Sequence, residues 1–419
     1  MRSLKRFIPR RLLNIAMPLY HFSLAFFGAL IYRFPSRKII IIGVTGTKGK
    51  SSTVEILGNI FEAAGYRTAV LGTIKFQIGE KTERNLKKMT MPGRFFVQKF
   101  LRDAVDAGCT HAIIEMTSEG AKQFRQRFIN MDALIFTNLS PEHIESHGSF
   151  ERYRNAKLSI ARTLARSKKI KHYMIVNSDD ITAHFFLDIP NTEAVSFSRS
   201  DAKNLIVDEQ QCSFTFHDKK ITSNLGGMFN VYNMLGAATC AAKFDVSLDA
   251  IAQGIANTKT IAGRMERIDV GQSFPVVVDY AHTPDSLEAI YGAYTDYETI
   301  CILGNTGGGR DKWKRPIMGG VAEKYCTEII LTNEDPYDED PETILKEIAS
   351  GMETKKPTII IDRREAIAHA IQRTNAHKKP AILITGKGTD PFIMGPNDTK
   401  IPWDDRDVAK EELSKFLAT

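Results

Sequence analysis

The run Lys38-Ile-Ile-Ile-Ile-Gly43-Val-Thr-Gly46-Thr47-Lys48-Gly49-Lys50-Ser51-Ser52 restricts the fold more than any other stretch of this chain. A short β-branched run between turn residues reads as a strand covered on both faces, which is the pattern of a parallel sheet. Residues 50–65 then carry helical spacing up to Gly65. Strand, glycine-rich turn and helix, in that order, make a phosphate cradle, because loop amides and a helix N-terminus converge on one anion. Gly46, Thr47, Lys48, Gly49, Ser51 and Ser52 would line it; Lys50 would reach the terminal phosphates and the Ser51 hydroxyl would ligate Mg²⁺. The common GxxxxGK[ST] spacing asks for glycine at Val44, and what fits instead is the shorter Gly46-Thr-x-Gly49-Lys50-Ser51. A purely structural turn is the bland alternative, and Gly-Lys-Ser directly after a buried strand weighs against it.

Strand–helix alternation continues along the chain. Strands are expected at 69–72, 112–115 and 133–138, and a helix at 94–108, where Phe96, Phe100, Leu101, Ala104 and Val105 recur at helical spacing. Residues 200–223 alternate like an antiparallel excursion, and 230–244 read as a helix. Past a junction at Ile261-Ala-Gly-Arg264 come five more strands, at 276–279, 299–303, 328–332, 358–361 and 381–385. The expected fold class is therefore α/β. A central P-loop parallel-sheet domain (36–262) would be followed by a C-terminal Rossmann-like α/β domain (263–419), behind a basic apolar segment (1–35). A length of 419 residues allows each domain its own core.

The formal net charge of +7 suggests nucleic acid until it is located. Residues 1–38 hold eight of the 56 Lys and Arg (Arg2, Lys5, Arg6, Arg10, Arg11, Arg33, Arg37, Lys38) and no acid, so the remainder has 48 basic against 49 acidic residues. A balanced body excludes a nucleic-acid footprint and confines the basicity to the N-terminal segment. That segment is apolar from 19 to 32, shorter than the roughly 20 residues of a bilayer span. Two readings stay open: an amphipathic helix on an anionic membrane surface, which would place a cytoplasmic protein peripherally on the inner face, or a helix packed on the next domain. Five scattered cysteines show no metal-ligand or disulfide spacing, which suits a reducing compartment.

Activating a carboxylate with ATP requires charge neutralisation around the γ-phosphate, which Mg²⁺ on hard oxygen ligands supplies. Glu115 ends the strand 112–115, and His143 follows the strand that ends at Thr137-Asn138. Lys157 comes fourteen residues later on a helix, in Tyr153-Arg-Asn-Ala-Lys157. Singly, a strand-end glutamate is often solvated, a histidine often caps a loop, and a helical lysine is usually on the surface.

Taken together, GTxGKS, Glu115-Met-Thr117-Ser118, Asn138-Leu-Ser-Pro-Glu-His143-Ile-Glu-Ser-His-Gly148 and Tyr153-Arg-Asn-Ala-Lys157 resemble the central domain of the Mur ligases. Gly263-Arg264-Met265-Glu266-Arg267 and Asp279-Tyr280-Ala281-His282-Thr283-Pro284-Asp285 point to the tripeptide-synthetase branch, which adds the third peptide residue in peptidoglycan precursor synthesis. The likeness spans about residues 38–395. It implies an ATP-dependent ligase that phosphorylates a muramyl-peptide carboxylate and lets the amine of a free amino acid attack it. It further implies that Lys157 carries a CO₂-derived carbamate and joins Ser51, Glu115 and His143 as metal ligands, with Lys50, Glu115, His143 and Lys157 as the catalytic set. Asn230 and Asn233 would lie near adenine, Arg264 near the phosphates and Asp279 at the ribose. Thr117, Gln123 and Arg125 match acceptor-binding positions, and Thr90 matches more loosely, because Met91 replaces a second threonine. Arg315, Gly386 and Asp390 fall at positions for the incoming amino acid.

Two departures stand out. Diaminopimelate-adding members carry Asp-Asn-Pro-Arg where this chain has Glu334-Asp335-Pro336-Tyr337. Tyrosine cannot pair bidentately with a distal carboxylate, and the acidic neighbours (Glu334, Asp335, Asp338, Glu339) suggest a cationic side chain such as lysine. Only about 38 residues precede the phosphate strand, too few for the domain that grips uridine diphosphate in such ligases. The acceptor is therefore expected to be held differently or to be lipid-linked. The rival readings are a folylpolyglutamate synthase-like ligase, which Asp279-Tyr-Ala-His-Thr-Pro-Asp285 opposes, and a silent membrane-associated nucleotide-binding protein.

Overall fold

The computed structural model of the chain describes residues 10–142 and 144–418. The phosphate strand, Ile40–Thr45, begins two residues later than its sequence suggests and lies inside an eight-stranded sheet. Across that sheet the order is Lys81–Arg84, Lys75–Ile78, Thr68–Leu71, His111–Glu115, Ile40–Thr45, Ala133–Phe136, Tyr173–Asn177 and Glu193–Phe197. All neighbours run parallel except the Lys75–Ile78/Lys81–Arg84 hairpin and its seam with Thr68–Leu71. Alternation along the phosphate strand splits the core. Ile42 and Val44 face the helices Lys50–Ala63 and Met228–Lys243, while Ile39 and Ile41 face the layer that includes Val97, Phe100 and Leu101 of helix Arg94–Asp106.

The expected excursion is a three-stranded antiparallel sheet, Lys203–Val207, Cys212–Phe216 and Lys219–Ser223, whose Phe214 and Phe216 join the first of those cores. The second α/β unit has a six-stranded sheet in the order Glu266–Arg267, Val276–Asp279, Pro380–Thr385, Glu298–Leu303, Glu328–Leu331, Thr358–Ile359. Only the first pair is antiparallel. Five of those six strands were expected. In the large sheet Tyr173–Asn177 and Glu193–Phe197 were not, nor was the hairpin at 75–84, whose outer strand is wholly exposed and carries no apolar alternation.

The N-terminal segment folds as the helix Arg10–Ile31. Ala25 and Ala29 are buried, Gly28 lets the helix close on the backbone at Arg94 and Phe95, and Phe22 and Phe26 meet Phe128 edge-on at 5.2 and 5.5 Å. The outward face is also apolar, with Leu19, Phe27 and Ile31 at 65%, 52% and 62% exposure. Among the described residues no helix is long and apolar enough to cross a membrane. The expectation of no disulfide is corrected: Cys301 and Cys326 form one, their Cα atoms 6.0 Å apart. Packing brings together the middle of strand Glu298–Leu303 and the residue after helix Lys314–Tyr325, which sequence spacing cannot reveal. Cys109, Cys212 and Cys240 are free and buried.

Candidate active site

The glycine turn opens at the carboxyl edge of the large sheet, where the chain switches from building one half to the other, the usual ligand position in such folds. At Gly46 (φ +149°) a Cβ would sit 1.9 Å from Thr137 Oγ1, and at Gly49 (φ +80°) 2.2 Å from Asn233 Oδ1. Only glycine allows both the conformation and the approach. The turn is fixed from the next strand end, where Asn138 Oδ1 accepts from the Lys48 amide at 2.8 Å and Thr137 Oγ1 donates to the Lys48 carbonyl at 2.6 Å. Lys50 donates to the Thr47 carbonyl at 2.9 Å; burial lowers its pKa, while Glu115 and Glu142 oppose that shift.

Ser51 and Glu115 stand together. The Ser51 hydroxyl donates to the carboxylate at 3.1–3.2 Å. Glu115 Oε2 also accepts from the Thr73 amide (2.8 Å) and hydroxyl (2.9 Å), and Thr73 Oγ1 lies 2.7 Å from Thr90 Oγ1. The two hard oxygen groups fit a Mg²⁺ site, and among the described residues no cluster of three or more His, Cys, Asp or Glu is placed to hold a metal without further help. His143 lies outside the described residues. Lys157 is 2% exposed, donates to the Gly46 carbonyl at 2.6 Å and lies against the Tyr153 ring. Burial, then the neighbouring Lys50 charge, drives its pKa well below the ordinary lysine value.

From the second unit, Arg264 donates to Ser51 Oγ at 3.4 Å and stacks on Tyr280, and Asp279 accepts from the Met265 and Ala281 amides at 2.7 and 2.6 Å. Burial raises the Asp279 pKa. Buried Asn230 and Asn233 bond each other at 3.2 Å behind the glycine turn, and Asn233 lines the cleft. The cleft is ≈ 570 Å³ and runs from Thr47–Ser52 past Glu115 and Thr117 to Arg264, Asp279, Tyr280 and His282. Two of its residues carry no expected role although they lie inside the quoted motifs: Glu142 Oε1 takes Lys48 Nζ at 3.2 Å and His282 Nε2 at 3.1 Å, joining the two units.

Among the residues expected to hold the acceptor, Thr117 caps the helix Ser118–Lys122. Arg125 donates to Gln123 Oε1 at 2.9 Å and to the Met91 carbonyl, so Thr90, Gln123 and Arg125 do converge. At the positions expected for the amino acid the picture changes. Arg315 is fully buried, with its guanidinium taken by Glu339, Glu347 and Asn305. Asp335 is held by Lys387 (2.8 Å) and by Lys88 of the central unit (2.6 Å), and both lysines also reach Asp390 at 3.1 Å. Glu339 pairs with Arg315 and Lys312, which pull its pKa down to about 2, and Asp338 accepts from the Asn397 amide. The inferred ring of free acids is thus largely consumed. Glu334 Oε2, packed on Gly386, and Asp390 Oδ1 are the oxygens of this group without a partner among the described residues. Lys88 carried no sequence signal.

Residues 44–241 match the Mur ligase middle domain and residues 263–388 the Mur ligase, glutamate ligase domain. The chain is 35% identical over 410 residues to the UDP-N-acetylmuramoyl-L-alanyl-D-glutamate--2,6-diaminopimelate ligase of Bacillus cereus, covering 94% of this chain and 82% of that one. It is 33% identical over 432 residues to the UDP-N-acetylmuramyl-tripeptide synthetase of a Roseiflexus species, covering 96% and 84%. A solved diaminopimelate ligase of the first type superposes with a TM-score of 0.61 at 26% identity, over 91% of this chain and 79% of that one. The folylpolyglutamate synthase of Mycobacterium tuberculosis, solved with ADP and AMPPCP, gives 0.71 at 17% identity, over 88% and 92%, a likeness of fold alone.

Proposed function

The chain belongs to the Mur ligase family of ATP-dependent, ADP-forming ligases, and from that premise we propose that it joins a free amino acid to the peptide carboxylate of a muramyl-peptide in peptidoglycan precursor synthesis. One observation carries the assignment of roles. A buried lysine with no ion pair among the described residues, Lys157, donates to the phosphate turn, whose Ser51 pairs with Glu115 and takes Arg264 from the second unit. Lys50 and Arg264 hold the phosphates of ATP, the turn amides orient them, and Asn230, Asn233 and Asp279 serve the nucleoside end. Thr90, Thr117, Gln123 and Arg125 hold the acceptor so that its carboxylate oxygen lies in line with the γ-phosphorus. ADP leaves as the acyl-phosphate forms; the amino acid's amine then attacks the acyl carbon, and phosphate departs.

Ser51, Glu115 and a carbamate on Lys157 would hold Mg²⁺, which supplies charge neutralisation around the transferring phosphoryl group. Burial supports the carbamate: the neutral amine adds CO₂ and releases a proton to solvent, leaving an anionic oxygen ligand in place of a cation. The decisive assay pairs ATP and Mg²⁺ with soluble and lipid-linked muramyl-peptide acceptors across an amino-acid panel. ADP release that depends on both acceptor and amino acid is expected, whereas release with folate and glutamate alone would favour the folylpolyglutamate reading.

We also infer that the enzyme works in the cytoplasm with its N-terminal helix against an anionic membrane face. The supporting observation is the outward apolar stripe of Leu19, Phe27, Leu30 and Ile31, followed by exposed Arg33, Arg37 and Lys38.

A further inference from the structure

The N-terminal helix Arg10–Ile31 does more than cover Phe128. It runs beside helix Arg94–Asp106 in the same direction: His21 meets Arg94, while Ile31 and Arg33 stand by Arg102 and Asp106 at the far end. Residues 10–20, about 16 Å at 1.5 Å per residue, therefore extend beyond the start of the neighbouring helix. That start adjoins the residues assigned to the acceptor, because Thr90 and Met91 lie just before it. An unbroken line of contacts leads there from the Ser51–Glu115 pair. Glu115 meets Thr73 Oγ1 at 2.9 Å, Thr73 meets Thr90 at 2.7 Å, and the next carbonyl, of Met91, takes Arg125. Arg125 reaches Gln123 Oε1 at 2.9 Å, the Gln123 carbonyl takes Arg94 Nε at 2.8 Å, and Arg94 ends the line on His21 Nδ1.

The two arginines on this line are short of anions. Among the described residues neither has a carboxylate partner, Arg94 Nη1 and the buried Arg125 Nε have no acceptor, and the first turn of helix Arg94–Asp106 holds no acid. Glu119, the carboxylate whose field reaches Arg125, is turned to His147 at 3.2 Å and to Ser146. Burial, then the Arg125 charge, lowers the Arg94 pKa, so the pair is held together against its own repulsion. A multiply charged anion between the guanidiniums would satisfy both. The surroundings are apolar on either side. Exposed Met89 touches Arg125 at 3.9 Å, and residues 12–32 include no Lys, Arg, Asp or Glu, with Leu19, Phe27, Leu30 and Ile31 turned outward.

We propose that the acceptor is a muramyl-peptide carried on a lipid diphosphate, with the diphosphate held by Arg94 and Arg125 and the hydrocarbon in a bilayer that covers the outward stripe of the N-terminal helix. The proposal deepens the ligase reading and rests on it. The peptide carboxylate then lies toward Glu115 and the carrier toward His21, which orients Arg94 from the helix. A soluble nucleotide carrier would supply the same diphosphate but leave the stripe beside the arginines in water; a lipid carrier brings the surface that covers it. Exposed Arg33, Arg37 and Lys38, past the end of the helix, complement the anionic headgroups of such a surface.

Steady-state kinetics of the intact enzyme, with ATP and amino acid saturating, should compare two acceptors. One is a nucleotide-linked muramyl-peptide in solution; the other is the same peptide on a polyprenyl diphosphate in phosphatidylcholine vesicles. Wild type is expected to favour the lipid-linked acceptor in kcat/KM. Arg94→Ala should raise KM for that acceptor about ten- to a hundredfold, the worth of a charged hydrogen-bonded pair, with KM for ATP in place, and Arg94→Lys should recover part of the loss. Leu19→Ser and Phe27→Ser together should raise KM for the lipid-linked acceptor alone, which separates the bilayer contact from the diphosphate contact. Equal or better use of the nucleotide-linked acceptor by wild type overturns the proposal, as does an unchanged acceptor KM in Arg94→Ala. If no acceptor is ligated at all, the ligase reading falls, and co-sedimentation with neutral vesicles loaded with polyprenyl diphosphate decides the carrier site separately. Binding above that to plain vesicles, lost in Arg94→Ala, would support the site, and no difference would remove it.

Discussion

Lys157 shows how one side chain's surroundings select its chemistry. An ammonium there has a single carbonyl at 2.6 Å and no carboxylate within ion-pair range among the described residues, so the neutral amine is the favoured form. Lowering the pH protonates the amine and takes it out of reaction with CO₂, so activity should fall on the acid side and be partly restored by added bicarbonate. Carbon-13 bicarbonate should give a carbamate resonance that Lys157→Ala lacks. That variant should be nearly inactive and partly rescued by a small carboxylate; a bicarbonate-insensitive enzyme with full activity in Lys157→Ala would end the idea. Residue types at this scale were legible because chemistry restricts them: Lys50, Ser51 and Glu115 line one cleft, and Lys157 reaches the Gly46 carbonyl of the turn that borders it. What was not legible is how charge is already spent. Nothing in the order of residues says that Lys88, some 250 positions away in the chain, neutralises Asp335, or that Arg315 turns inward.

Arg315 belongs to an argument about elements. It ties the helix Lys314–Tyr325 to the loop at Asn305 and, through Glu347, to the helix Pro341–Ala349. Removing one partner of a buried pair strands the other charge, so Arg315→Met should cost on the order of 3 kcal/mol in stability. Glu339 links this to pH. Its folded value of about 2 lies below its ordinary 4.5, so the stabilisation is complete above about 4.5 and is lost as the pH falls from there through about 2. Acid melts of wild type and Arg315→Met should converge in that window; parallel curves would deny the pair its role. The N-terminal helix is the other element with two faces. Starting the chain near Ser36 uncovers the surface around Phe128 and removes the outward apolar stripe, so both the melting temperature and binding to anionic vesicles should drop. A fall in melting temperature with no vesicle binding by the intact protein would leave the helix purely structural. The sequence offered these as alternatives because its apolar residues lie all round the helix, and periodicity alone assigns no face to such a pattern.

Across the whole molecule the alternating strands and helices announced two parallel α/β sheets, since a buried parallel strand such as Ile40–Thr45 has few other places to go, but they marked only four of the large sheet's eight strands. The relation between the two units was invisible, because contacts of opposite charge carry no period. Those contacts are polar: Lys88 with Asp335 and Asp390, Arg84 with Asp404, Glu142 with His282, Arg264 with Ser51, and Glu145 with the Asp311 and Lys312 amides. They surround the cleft in which ATP, acceptor and amino acid must meet. An interface of this kind loosens when charge is screened, and the Debye length shrinks from about 10 Å at 0.1 M salt to about 3 Å at 1 M. The ligand-free enzyme should therefore expand in X-ray scattering as salt rises, and a nucleotide bound as proposed, between the glycine turn and Asp279, should suppress the expansion. Lys88→Met should reproduce part of the high-salt state at low salt, with KM for the amino acid rising more than KM for ATP, because Lys88 touches the amino-acid corner and not the phosphate turn. A radius that is independent of salt, with or without Lys88, would mean that the apolar contacts between the units outweigh these ion pairs and that the cleft is preformed.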